Sequence, residues 1–335
     1  MGGVGGRSAR VALAAALLCA PLRPCAAGDF SSQAVGTAGS EWLNIGVDPR
    51  GMAMGNAFIA ETREAFSMYW NPAGLSMIPR VSASAMHNEY IAGIRIQYAA
   101  YAQRITDTSV LGGAVRYMDA GSVVNTDIHG HEVGTFRPRN YVYEFGWGQS
   151  ITDLTDAERD ISLGVTARYF HSDLITHADG FAGDLGIQSH FTEAYVPYNF
   201  AVVLQNLGSG QKFDEVRDSL PFQAKLGTSV RPKDFLLFTL DGIMPVSNKP
   251  YAALGTEIAL DTPKRIKVLL RAGYNSRNTF SGLEGLRGFS FGTGTVVGDL
   301  SFDYAFAPFG ILGNIHRFSF SYNLPAKHSR RYRSR

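Results

Sequence analysis

The chain has 335 residues and a formal net charge of +2; 18 % of its residues are charged, 12 % are aromatic and 37 are glycine. That balance gives no global field pointing to nucleic acid or an acidic partner. So few charges beside so many aromatics are unusual for a soluble enzyme and suit many short strands with tight turns. At the N-terminus, residues 1–27 read as a secretory signal peptide. Arg7 and Arg10 supply the positive region, Val11 to Ala20 the apolar run, and Cys25-Ala26-Ala27 the small residues before cleavage. That apolar run is too short for an anchor helix, the alternative reading. The mature chain is expected to begin near Gly28. Both cysteines, Cys19 and Cys25, fall inside the signal, and Arg23-Pro24 do not suit a lipoprotein site. A mature chain without thiols has no disulfide, thiolate metal site or cysteine nucleophile.

Residues 28–80 lack strand alternation. Gly51, Gly55, Ala57, Ala60 and Ala65 place small residues at near-helical spacing, with Glu61, Arg63 and Glu64 between them. Tyr69-Trp70-Asn71-Pro72-Ala73-Gly74-Leu75 follows, in which Asn-Pro-x-Gly is a type I turn signal. The segment has too little apolar surface to fold alone, so a larger body must cover it.

From residue 81 the pattern changes to period-2 alternation in segments of about ten residues. Tyr141, Tyr143, Phe145 and Trp147 alternate with Val142, Glu144, Gly146 and Gly148. Ile161 to Tyr169 and Phe318 to Leu324 behave alike, as do Ile94, Ile96, Tyr98, Ala100 and Ala102 against Arg95 and Gln97. The pattern predicts about 14 strands: 81–89, 93–103, 109–119, 139–149, 160–171, 180–191, 197–207, 222–231, 234–243, 250–260, 265–274, 286–296, 299–306 and 315–324. Short turns such as Thr106-Asp107-Thr108, Arg231-Pro232-Lys233 and Val297-Gly298-Asp299 alternate with longer connections at 120–138 and 275–285. That is the signature of an up-and-down barrel. No stretch approaches the roughly 18 apolar residues of a membrane-crossing helix, so a membrane location requires a closed barrel.

The expected fold is therefore all-β, a transmembrane antiparallel up-and-down barrel over 81–324. The apolar and aromatic face would meet lipid, and Arg95, Arg116, Glu144, Arg168, Arg271, Asp303 and Arg317 would face the lumen. A soluble periplasmic β-protein has the same period; the number of strands and of aromatics argues against it. Residues 325–335 form a basic C-terminal tail, which leaves Phe318, Phe320 and Tyr322 as an internal signal for the barrel-assembly machinery.

Trp42-Leu-Asn-Ile-Gly46, Arg50-Gly-Met-Ala-Met-Gly-Asn-Ala-Phe-Ile-Ala60 and Tyr69-Trp-Asn-Pro-Ala-Gly-Leu75 resemble the N-terminal signature of PorV/PorQ-type proteins, within the FadL-like outer-membrane barrels. Gln205-Asn-Leu-Gly208, Leu226-Gly-Thr-Ser-Val230, Leu270-Arg-Ala-Gly-Tyr274, Asp303-Tyr-Ala305, Leu312-Gly313 and His316-Arg317 extend the similarity. The loops look short for the type IX secretion component itself. The resemblance implies a small helical or irregular N-terminal hatch over 28–80, plugging the lumen, and passive transport of a hydrophobic or amphipathic small molecule. A docking or shuttle role for secreted proteins is the alternative it implies. The partners expected are outer-membrane lipid, an apolar small-molecule ligand or a secreted protein, with no nucleic acid and no cofactor.

Gly51, Gly55, Trp70, Asn71, Pro72 and Gly74 are the candidate hatch or gate residues. The Asn71–Gly74 run fits either a gate or a rigid turn into the first strand. The lumen charges fit either a ligand path or pairing with hatch residues Asp48, Glu61 and Glu64. His129-Gly-His131-Glu132 has metal-like spacing but no second cluster and reads as a solvated loop. His171 and Asp173 read as loop residues. No nucleophile motif or phosphate-binding loop occurs, so no catalytic residue is assigned.

Overall fold

The computed structural model describes residues 30–325 apart from 152–159, 193, 264–265 and 278–285. The expected signal peptide, with Cys19 and Cys25, and the basic tail from residue 326 lie outside the described residues. Sixteen strands run β1 Val81–Glu89, β2 Arg95–Arg104, β3 Ser109–Asp119, β4 Val123–Thr126, β5 Glu132–Phe136, β6 Arg139–Ser150, β7 Asp160–Asp173, β8 His177–Phe191, β9 Tyr198–Ser209, β10 Gln223–Lys233, β11 Leu236–Pro245, β12 Tyr251–Asp261, β13 Ile266–Asn275, β14 Phe289–Val297, β15 Leu300–Pro308 and β16 Asn314–Leu324.

Fourteen of them close into an antiparallel barrel in chain order, with β1 sealed against β16 from Val81↔Leu324 to Glu89↔His316. The other two, β4 and β5, form a separate hairpin inside the long connection after β3; the sequence reading had treated that stretch as loop. Tight turns at 105–108, 234–235 and 298–299 mark one rim, the turn rim. The connections 120–138 and 210–222 lie at the other, the loop rim.

The barrel is inverted relative to a soluble one. Tyr143, Phe145, Phe200, Leu226, Phe238, Leu254, Leu270, Phe302, Phe318 and Phe320 are exposed on the outside, whereas Glu144, Arg168, Asp184, Asp241, Glu257, Arg271 and Arg317 are buried inside. No helix among the described residues is long and apolar enough to cross a membrane, and a closed ladder leaves no strand edge unpaired.

One strand reverses the expected facing. In β2, Ile96, Tyr98, Ala100 and Ala102 are buried toward the lumen and Arg95 points outward. Arg95 is thus not a lumen residue; it lies 3.5 Å from Glu89 on the outer face. The physical reason is the filling of the lumen, since β2 packs against Phe66 and Met68 of the inner segment, with Phe66 stacked on Tyr98 at 5.8 Å. Period-2 alternation separates two faces but does not say which one meets lipid when the lumen is itself apolar. A smaller correction concerns His171 and Asp173, which belong to β7 rather than a loop; His171 bonds Asp179 on the outer surface at 2.8 Å.

Candidate functional site

The inner segment runs from the loop rim, where Gly39 N–H donates to Ser219 at 2.9 Å and Ser40 to Gln211 at 2.8 Å, down through the lumen to β1. Its described residues form two short α-helices, Pro49–Ala53 and Ser67–Trp70, and three 3₁₀ stretches, Ser32–Ala34, Glu41–Asn44 and Pro72–Met77. Asp48 caps the first, accepting from Arg50 N–H at 2.9 Å and Gly51 N–H at 3.2 Å, with Pro49 at the first helical position. So little regular structure leaves many backbone groups that must find partners inside the barrel.

The wall supplies them. Gln188 donates to Ala60 O, Gln205 to Tyr69 O and Asn275 to Gly55 O, each at 2.8 Å, and Thr166 donates to Met68 O at 3.0 Å. Asp241 accepts from Phe58 and Ile59 N–H at 2.8 and 3.1 Å.

Glycines let the two backbones touch. Gly148, Gly164 and Gly186 stand side by side across β6, β7 and β8. A Cβ at any of them would overlap Leu75, Pro72 or Asn71. A second patch, Gly255 and Gly273 on β12 and β13, receives Met54 and Gly55. Gly55 itself combines a φ of 68° with this close approach, which only glycine accommodates.

The candidate gate residues thus lie in two places. Gly51 seats the buried Trp70 ring, which meets Phe58 edge-on at 5.8 Å. Asn71, Pro72 and Gly74 lie on the first glycine patch. The Asn71 side chain accepts from Ala73 N–H at 3.1 Å and donates to Ile59 O at 2.9 Å, capping the 3₁₀ stretch that Pro72 opens. Gly74 is covered by Thr62 and Ser67.

The buried lumen charges are also placed. Arg168 lies between Glu144, at 3.1 Å, and Asp184, at 2.8 Å, and Tyr98 donates to Glu144 at 2.7 Å. Asp184 in turn accepts from Asn206 N–H at 2.9 Å, where β9 bulges with Asn206 at φ 61°. Arg116 donates to Leu43 O and Ile45 O and stacks on Trp42 and Tyr69. Arg271 bridges Glu257 at 2.7 Å and Asp303 at 2.5 Å, and Arg317 donates to Asp48 O at 3.2 Å. Arg116 and Arg317 therefore hold backbone carbonyls of the inner segment rather than its carboxylates.

Sequence reasoning missed the shortest of the ion pairs between the inner segment and the wall among the described residues. Arg50 forks onto Glu257 with two bonds of 2.8 Å. It also missed Asp184, Asp241 and Lys225. The detectable signal was period: all four wall residues sit at lumen-facing positions of their strands.

Among the described residues, two sizeable cavities lie between segment and wall. The one toward the loop rim, about 510 Å³, is walled by Trp42, Trp70, Tyr90, Tyr251, Phe289 and Phe309, with Lys225, Arg277 and Arg317 as its cations. The one toward the turn rim, about 210 Å³, is lined by Asp48, Arg50, Glu64, Glu257, Arg271 and Asp303. The helix Pro49–Ala53 and the Phe58–Trp70 pair divide them. Burial holds the Asp48 carboxyl up to about 7, with the charges of Asp303 and Glu64 adding to it. Burial likewise raises Glu64, again with Asp303 contributing.

The family model of the type IX secretion system protein PorV matches residues 29–239. The chain belongs to the PorV family. No curated protein matches it. Among solved structures, this PorV-family barrel is similar to the CymD monoaromatic hydrocarbon channel, with TM-score 0.55 and 12 % identity over 85 % of this chain and 99 % of that one. A Pseudomonas aeruginosa FadL homologue gives TM-score 0.49 and 9 % identity over 83 % and 98 %. The Pseudomonas putida toluene transporter TodX gives 0.47 and 9 % over 82 % and 96 %. At such identities the CymD likeness establishes the fold. This PorV-family chain is an outer-membrane β-barrel, and the soluble periplasmic alternative is set aside by its apolar exterior and its family.

Proposed function

We propose that the chain is a passive outer-membrane channel for a hydrophobic or amphipathic small molecule, with residues 28–80 as its hatch. The observation that carries this reading is the aromatic-walled cavity of about 510 Å³ between hatch and wall. Its size and its mixed lining, aromatic rings beside Lys225, Arg277, Arg317 and Glu41, fit a site for a small molecule with both apolar and polar parts. With the loop rim facing out of the cell, ligand enters the outer cavity and leaves past the Pro49–Ala53 partition into the inner one. The CymD likeness supports the architecture of such a channel.

The test is uptake of a radiolabelled monoaromatic compound by cells producing the full chain or a variant deleted for 40–75. The deletion is expected to leave a heat-modifiable barrel whose permeability is altered, whether leaky or inactive. Unchanged uptake and permeability would refute the hatch.

A second reading, a docking platform for secreted proteins, is supported by the family match and by the β4–β5 hairpin. That hairpin carries exposed Val124, Ile128 and Val133 beyond the loop rim. Its turn is organised by Asp127, which accepts from His129 and His131 N–H, so those histidines read here as hairpin residues. Crosslinking in intact cells separates the readings, since a protein captured at this hairpin supports docking and an apolar molecule recovered from the lumen supports transport. The outward Phe318, Phe320 and Tyr322 row on β16 is the proposed signal for the barrel-assembly machinery.

A further inference from the structure

Unpartnered buried polar atoms concentrate where the barrel closes. On the lumen faces of β1, β16 and β15, Asn88 has neither amide atom bonded, and Ser84, Ser319 and Ser301 have unbonded hydroxyls, as does the Nε of Arg317. All are at least nine-tenths buried. They are also contiguous. Asn88 stands opposite Arg317, Ser84 opposite Ser321, and Ser321 and Ser319 opposite Ser301 and Asp303.

The column has two ends. Arg317 lines the outer cavity, and Ser301 and Asp303 line the inner one. From Arg317 to Ser321 is four residues of strand, or about 13 Å at the usual rise. On the opposite side stand hatch groups, with Asp48 O bonded to Arg317 and the Glu64 carboxyl facing the Ser321 hydroxyl. Met86, opposite Ser319, and Ala305, opposite Arg317, are the apolar residues set into this column. Below, the column is stopped at Ser82, whose hydroxyl accepts from Ala65 N–H at 2.9 Å and donates to Asn323 at 2.6 Å.

Buried hydroxyls and amides find partners in protein or in ordered water. A water file needs polar groups on successive levels and room beside them; these atoms are covered as the structure stands, so small side-chain movements along the seam must supply that room. We propose that the seam between the hatch and β1, β15 and β16 is a water conduit joining the two cavities, separate from the route of an apolar ligand. Its lining suits water over ions, because a guanidinium heads it and carboxylates end it, so an ion of either sign meets like charge at one end. The inference does not rest on the ligand reading.

Stopped-flow light scattering on proteoliposomes under an osmotic gradient tests it. The full chain is expected to shrink vesicles several-fold faster than protein-free controls. A Ser84→Val/Asn88→Leu/Ser319→Val variant that keeps its heat-modifiable mobility is expected to return to the control rate, with uptake of an apolar probe unchanged. If that variant does not assemble, Ser319→Cys is used instead, since the described residues contain no cysteine. A small water-soluble thiol reagent is expected to label it and slow the shrinkage. Wild-type vesicles no faster than the controls would overturn the proposal, as would undiminished flux in the apolar or labelled variant. Either result is independent of whether the outer cavity takes up an apolar compound.

Discussion

Against β6, β7 and β8 the inner segment lies backbone to backbone on three glycines, and its carbonyls accept from Thr166 and Arg168. Against β1, β15 and β16 it faces serines, an asparagine and a guanidinium nitrogen, several of them unbonded. The first wall meets the segment backbone to backbone with no cavity between them at the glycines; the second is polar and lies between two cavities. One segment is therefore clamped along one side and loosely seated along the other. Opening, where it occurs, should begin on the second side.

The comparison breaks most completely at Gly164. Gly164→Val places side-chain atoms where Pro72 and Ala73 now lie, and overpacking against a backbone has no flexible side chain to absorb it. The hatch should fail to dock, read as a large persistent conductance in planar bilayers with the barrel still assembled. Next is Arg168→Met, which strands Glu144 and Asp184 as buried unpaired carboxylates and should cost about 3–5 kcal/mol by denaturant titration of gel mobility. Arg50→Met should cost less, about 1–3 kcal/mol, because Glu257 keeps its bond to Arg271.

The loose side should respond to pH. Burial holds the Asp48 carboxyl up to about 7 in the docked segment, against an ordinary value of 3.8 for a free aspartate. An acid raised on docking favours the docked state below its free value and loses that contribution as pH climbs through the docked one. Hydrogen exchange over residues 48–58, corrected for its intrinsic rate, should therefore rise between about pH 4 and pH 7, and Asp48→Asn should reduce the rise, Glu64 supplying part of what is left. The smallest effect belongs to the exterior. Arg95→Gln should change stability by under about 0.5 kcal/mol, whereas a cost of several kcal/mol would mean that Arg95 is not where the structure places it.

The barrel was legible in the sequence because period 2 survives in every wall strand, and the ends of the predicted strands fall within a few residues of the observed ones. The facing of β2 was not, since Ile96 and Tyr98 look like lipid-facing residues until Phe66 and Met68 are known to lie behind them. The glycine patches were equally hidden. Gly148, Gly164 and Gly186 align only once register is fixed, being far apart along the chain. Short β4 and β5 are polar enough to pass for loop. Of the candidate residues, the arginines could be placed on strands, but Arg50 pairing with Glu257 spans 207 positions and carries no local mark.

The path of the inner segment constrains the order in which the molecule can be made. Residue 39 is held at one mouth of the cylinder and residue 81 begins its wall at the other. Once Val81–Glu89 has zipped onto Asn314–Leu324, that segment could be installed only by threading a free end lengthwise through a nearly filled bore. The plug must then already lie in place when the last ladder forms, so the wall folds around its own stopper. A 30–80 peptide supplied in trans after closure should not restore a barrel made without it, whereas supply during assembly should, read by recovery of the low conductance.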